Sequence, residues 1–259
     1  SYWDWLVKVV HLDLGESTRY SDPVWDTIKD RLPVSAFYGI MTMFITYFIS
    51  IPLGYMKAVR HNSHFDHASS IVVFVGYAIP SYVVGIILLV VFASNLEWFP
   101  MGGFYGDEFE DMDSKLEQVA DIFYHAALPL LAYVAGSFAV MTFMMKNSLM
   151  DNLAADYVRT AIAKGMPFKQ AITRHAMRNS LIPIATHFGN NISVIIGGSF
   201  LIEKIFNING LGLLGYESIV ERDYPIVLGV LVISAILQLF GNILSDICVA
   251  AVDPRVQFR

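Results

Sequence analysis

The sequence predicts an all-α integral membrane protein, and three observations lead there. Hydrophobic residues make up 55% of the chain and charged residues only 15%, where soluble domains carry roughly a quarter charged; mean hydropathy is +0.53. Long apolar runs recur at 34–55, 71–96, 123–145, 180–202 and 225–250, broken by a single carboxylate, Asp246. At about 1.5 Å per residue, each can cross a hydrocarbon core about 30 Å thick. The basic residues fall mainly between particular runs, as loops on one membrane face do. A formal charge of −6 argues against nucleic acid as a partner, and the single cysteine, Cys248, excludes an intrachain disulfide.

Residues 1–33 mix Trp3, Trp5 and Trp25 with Asp4, Lys8, Asp13, Glu16 and Arg19. They read as a periplasmic or interfacial segment: an amphipathic stretch from Ser1 to His11, then an irregular loop through Asp22-Pro23-Val24 and Arg31-Leu32-Pro33. The first run, 34–55, ends at Pro52 and Gly54, and 56–70 carries Lys57, Arg60 and the histidines His61, His64 and His67. Their spacing places the histidines near one helix face, but no Cys or Glu completes a metal set, and they read as titratable loop residues. The second run, 71–96, contains Ile79-Pro80-Ser81; proline inside a membrane helix kinks it, so one kinked or tilted span is expected. Asp107, Glu108, Glu110, Asp111, Asp113, Glu117 and Asp121 then face only Lys115 within 97–122. That spacing lacks the glycine and closing glutamate of a calcium loop, so a solvated acidic loop is expected.

Between the third and fourth runs lies the stretch around which the chain is organised, 146–179. Its bases are Lys146, Arg159, Lys164, Lys169, Arg174 and Arg178, against Asp151 and Asp156. A short helix over 153–163 should break at Gly165; Pro167 cannot continue it, and a second helix over 168–179 leads into the fourth run. The pattern is helix, glycine turn, helix, membrane. The fourth run is the most polar, with Thr186, His187, Asn190, Asn191, Ser193 and Ser199. Such groups at membrane depth either hold helices together or line a pathway. Asn190, Asn191, Ser193 and Ser199 are the candidates for a translocation path. Further on, Gly210, Gly212 and Gly215 are spaced G-x-G-x-x-G, but no βαβ unit surrounds them, so the dinucleotide reading fails.

With 1–33 outside, 56–70, the basic stretch and the Arg255–Arg259 tail lie inside, and the acidic loop outside; the reverse orientation would put the basic stretch outside. No G-x-x-x-x-G-K-[ST], G-x-S-x-G, H-E-x-x-H or C-x-x-C occurs, so the chain carries no signature of its own ATPase or hydrolase site.

The order D-Y-V-R-T-A-x-A-K-G, then R-H-A-x-R-N-S-L-I-P, resembles the coupling loop of ABC-importer permeases in the dipeptide/oligopeptide branch. The general importer form has Glu-Ala-Ala where this chain has Arg159-Thr160-Ala161, and Pro183 comes later than in sugar importers; both departures resemble the peptide branch. I-E-x-x-F-x-x-N-G-L-G-L-L-G-Y-E at 202–217 and G-Y-A-I-P at 76–80 resemble B-type permeases of oligopeptide and microcin C importers. The resemblance implies a type I permease core of six helices, five of them here and one upstream of Ser1. It implies a bacterial inner-membrane location and a heterodimer with a second permease. It also implies a periplasmic binding protein and cytoplasmic ATPases, with ATP and Mg held on those partners and no cofactor on this chain. Asp156, Tyr157, Arg159, Ala161, Lys164 and Gly165 are then the residues expected to couple ATP hydrolysis to transport, Asp156 by capping or pairing locally. A sister importer of nickel or glutathione, a secondary transporter, and an intramembrane enzyme using His187 and Ser193 are the rival readings.

Overall fold

A computed structural model describes residues 7, 11, 13–188 and 198–253. In chain order the helices are α1 (Val24–Val59), α2 (His64–Ala78), α3 (Ser81–Leu88, continued by a π-helical stretch, Leu89–Asn95), α4 (Lys115–Ala154), α5 (Asp156–Ala163), α6 (Phe168–Ala171), α7 (Met177–Ser180), α8 (Phe200–Ile205), α9 (Leu211–Val220) and α10 (Tyr224–Val252). A π-helical turn, Ile172–Ala176, joins α6 to α7. Among the described residues, α1, α4 and α10 are each long and apolar enough to cross a membrane. The arms of α2 and α3 meet the same test together, as a pair interrupted at Ile79-Pro80. Pro80 is the cause: its ring bars the helical hydrogen bond, and Ile79 before it takes extended angles (φ −92°, ψ 121°). Most of the fourth predicted run, 180–202, lies outside the described residues.

The expected loop over 24–33 is instead the first three turns of α1. Asp26, Lys29, Asp30 and Arg31 hide this start from a hydropathy reading, yet Val24 and Ile28 on its inner face are fully buried. Asp26 in the first turn also suits the positive helix terminus. Outward-facing apolar side chains such as Phe44 and Phe48, one turn apart on α1, are exposed, as expected where the surrounding solvent is lipid.

The chain forms two compact units. The first contains the described residues of Ser1–Thr42, Ser81–Tyr133 and Ser193–Gln238; the second those of Met43–Pro80, Val134–Ile192 and Leu239–Arg259. This division follows the charge pattern: the acidic loop is in the first unit, while 56–70 and the basic stretch are in the second.

In the first unit Leu14, Val24, Ile28, Leu211, Leu214, Ile226 and Ile233 pack together. A polar strap fastens the segment before α1 to the start of α10. Ser17 Oγ donates to Asp223 Oδ2 at 2.5 Å, and the backbone N–H groups of Thr18 and Arg19 donate to the same carboxylate at 3.3 Å. Burial opposes ionisation of Asp223, but these hydrogen bonds outweigh it and hold the carboxyl below its usual range.

In the second unit an ionic cluster joins α1, α2 and α4. Lys57 is fully buried. Its ammonium donates to the Asp66 carbonyl (2.9 Å), Ser69 Oγ (2.9 Å) and Ser70 Oγ (2.7 Å), and lies 3.0 Å from Asp66 Oδ1. Lys146 Nζ donates to both Asp66 oxygens at 2.8 Å, and His61 Nδ1 stands 3.3 Å from Oδ2. Asp66 is the hub of this cluster.

Two outcomes follow from these anchors. Asp66→Ala leaves the buried Lys57 ammonium uncompensated, a change that costs about 3–5 kcal/mol. The melting temperature of the purified protein in detergent should fall sharply, and adding Lys57→Met should restore much of it; an unchanged melt would remove Asp66 from the hub. For Asp223 the folded pKa is depressed, so its stabilisation is complete above the unfolded value of about 3.9. It is lost as pH falls through the lower folded value. The wild-type protein should therefore melt above Asp223→Asn at pH 7, with the gap closing only below about pH 4; a pH-independent gap would contradict the strap.

Candidate functional site

Helix α5 opens with Ala155 in extended conformation as its N-cap, without a side-chain cap bond. Asp156 therefore does not cap the helix as expected. It occupies the first helical position, where its charge favours the positive terminus. One residue ties the helix down: Val158 is fully buried and joins Met141, Met145 and Leu149 of α4 and Ala171, Ile172 and Ala176 in one cluster. Arg159, Thr160, Ile162, Ala163 and Lys164 are exposed.

Gly165 ends α5 as the sequence predicts, at φ +91°, a left-handed angle glycine adopts without a Cβ penalty. Its N–H donates to Ile162 O at 2.9 Å and that of Met166 to Ala161 O at 3.1 Å, closing the helix end. Pro167 then starts α6 from an extended angle (ψ 138°). The second helix expected over 168–179 is present as α6, the π-helical turn and α7. π-Turns insert one extra residue per turn and often mark functional helices.

Tyr157 has two roles in this geometry. Its ring is 41% exposed, while its hydroxyl donates to Asn152 Oδ1 (2.5 Å) and accepts from Asn179 Nδ2 (3.0 Å). The end of α4, α5 and α7 are thus tied at one oxygen. Arg178 Nε donates to Val252 O at 2.7 Å, adding the end of α10. Tyr157, Thr160, Ala161, Lys164, Gly165 and Met166 line a concavity of about 580 Å³. The arrangement brings together Tyr157, Ala161, Lys164 and Gly165 of the predicted coupling set, with Arg159 exposed on the same helix. It presents a cationic, half-apolar knob.

The predicted path residues fare differently. Asn190, Asn191 and Ser193 lie outside the described residues, and with Ser193 so does the His187–Ser193 pair. Ser199 is the N-cap of α8 and is half-buried; its backbone N–H donates to the Tyr133 hydroxyl at 3.2 Å. Among the described residues no cluster of three or more His, Cys, Asp or Glu is placed to hold a metal ion.

Sequence reasoning missed Glu203. It is 1% exposed and its Oε2 accepts from Leu213 N at 2.6 Å, at the N-terminus of α9, where unpaired N–H groups and the helix dipole favour an anion. A Cβ on Gly210 would lie 2.5 Å from the Glu203 carboxyl carbon, so any side chain there would have to displace the carboxylate. The E-x₆-G spacing was the available signal: Gly210 makes room for the carboxylate, while Gly212 lets the backbone of residues 198–200 approach.

Residues 50–258 match the family model described as "Binding-protein-dependent transport system inner membrane component". The chain is 42% identical to the peptidoglycan transport system permease protein YejB of Agrobacterium fabrum, covering 96% of this chain and 69% of that one. It is 42% identical to the inner membrane ABC transporter permease protein YejB of Escherichia coli O157:H7, over 100% and 71%. It is 37% identical to the oligopeptide transport system permease protein AppB of Bacillus subtilis, over 99% and 80%. Among solved structures, an inward-facing form of the MetNI methionine ABC transporter is similar in fold, with TM-score 0.66 at 16% identity, covering 87% of this chain and 96% of that one. The chain belongs to the inner-membrane permease components of binding-protein-dependent ABC transporters.

Proposed function

We propose that this chain is the permease subunit of an ATP-driven importer for oligopeptides or peptide-like compounds, in the bacterial inner membrane. It forms the translocation path with a second permease, receives its cargo from a periplasmic binding protein and takes its energy from cytoplasmic ATPases that hold ATP and Mg. The observation that carries this reading is the anchored knob of α5. Val158 and the Tyr157 hydroxyl fix it to α4, while Ala161, Lys164 and Gly165 line a concavity and Arg159 is exposed on the same helix. A partner gripping that surface moves α4 with it. ATP binding favours one arrangement of the partners, and that preference is what shifts the permease between its inward-open and outward-open states.

The peptide class is supported by relatives named for peptidoglycan and oligopeptide transport at 42% and 37% identity. A permease for another small solute, such as nickel or glutathione, is the second reading, because the scaffold is shared across cargoes.

Gly165→Pro tests the coupling role. Proline is fixed near φ −65° and has no N–H, so it cannot adopt the +91° angle or donate to Ile162 O. In reconstituted complex, ligand-stimulated ATP hydrolysis should be abolished while membrane insertion persists. Stimulation at the wild-type level would remove the knob from the coupling route.

A further inference from the structure

Among the described residues three carboxyl groups are buried, Asp66, Glu203 and Asp223, and they are held differently. Two ammonium groups keep Asp66 ionised, and a hydroxyl with backbone N–H groups does the same for Asp223. Glu203, just past the fourth apolar run, has no ion-pair partner among the described residues. Its carboxylate accepts from Leu213 N at 2.6 Å, from Gly212 N and from the Tyr133 hydroxyl, and Arg31 acts on it through its field. Burial outweighs these donors and lifts the carboxyl to about 7.

The surrounding geometry gives this acid both a way to water and a second hydrogen-bonding arrangement. Gly198, at φ +77°, and Gly210 lie so close to the carboxylate that a Cβ on either would strike it. Gly198 and Gly212 also line an open groove of about 320 Å³, so backbone without side chains separates the acid from that groove. The Tyr133 ring of α4 lies 5.9 Å from the ring of Tyr38 on α1. Tyr38 is 2% exposed, and its hydroxyl has no hydrogen-bond partner among the described residues.

We propose that Glu203 is a proton-operated latch: ionised, it clamps the start of α9 to α8 and α4; protonated by water from the groove, it loosens that hold. The inference rests on the permease reading above, since it makes the ionised latch a brake on cargo-free ATP hydrolysis. Hydrogen bonds to a carboxylate are about twice as strong as neutral ones. A neutral carboxyl becomes a donor; its proton points at the Tyr133 oxygen, and the Tyr133 proton turns to the Tyr38 hydroxyl. The charged and titratable groups facing Glu203 are Arg31 and Tyr38 from α1 and Tyr133 from α4. From α9 it meets backbone N–H groups, while Glu217 of that helix stands 4.0 Å from Lys204.

The test uses the assembled importer in nanodiscs, without cargo. Wild-type ATP hydrolysis is divided by that of Glu203→Gln, which fixes the neutral form and cancels the pH dependence of the ATPases. The ratio should be near one at about pH 6 and fall about tenfold by about pH 8, following the neutral fraction. A constant ratio in a complex that still responds to cargo overturns the latch alone. A wild-type complex whose hydrolysis never responds to cargo sinks the permease reading and the brake with it. Tyr38→Phe deletes an unpartnered hydroxyl and leaves every donor to Glu203 in place. It withdraws the acceptor of the neutral state, so the midpoint of the ratio should move to lower pH; an unmoved midpoint overturns the exchange with Tyr38. In the infrared, a protonated-carboxyl band absent from Glu203→Gln should vanish as pH rises through about 7. That readout needs no ATPase, and absence of the band overturns the proposal.

Discussion

One buried side chain fastens α5 to the core of its unit. Val158 is the only residue of α5 that is fully buried, and it enters a cluster with Met145 and Leu149 of α4. Burying a valine contributes about 1.5–3 kcal/mol, and the Tyr157 hydroxyl adds hydrogen bonds to Asn152 and Asn179 on either side. The other faces of α5 are free to meet another protein. A helix so short has little stability of its own; here its packing, not its propensity, holds its shape. On the proposed coupling role, this anchorage is what would carry a force at Arg159 or Lys164 into α4.

The same economy recurs at the polar anchors. Asp66, Asp223 and Glu203 are each buried, and each accepts hydrogen bonds from segments distant in sequence or from a helix end. Lipid supplies no hydrogen bonds, so charged groups near the membrane must find partners inside the chain. Asp66 does this with two ammonium groups, Asp223 with a hydroxyl and backbone N–H groups, and Glu203 with the open end of α9. Arg19 adds an ion pair to Glu221 beside the Asp223 strap. The Asp223 anchor fastens a loop to a helix start, Asp66 joins three helices, and Glu203 closes the start of α9.

What the sequence made legible follows from which forces act locally. Gly165 and Pro80 act on their own backbone, so the turn after α5 and the break between α2 and α3 could be read directly. The start of α1 was hidden because Asp26, Lys29 and Asp30 lower its hydropathy while Val24 and Ile28 still bury one face. Glu203 was not legible because its relation to Gly210 and the start of α9 is a contact, not a period. The knob was legible as a motif, but its anchorage through Val158 and Tyr157 required the fold.

The central claim is that a separate ATPase grips the α5 knob. Photocrosslinking from an unnatural benzophenone side chain placed at Ala163 or Lys164 in the assembled importer addresses it directly. The account predicts a covalent adduct containing the ATPase subunit, with a yield that changes between ATP-bound and nucleotide-free states. An assembled, ATP-hydrolysing complex in which neither position crosslinks to the ATPase in any nucleotide state would contradict it.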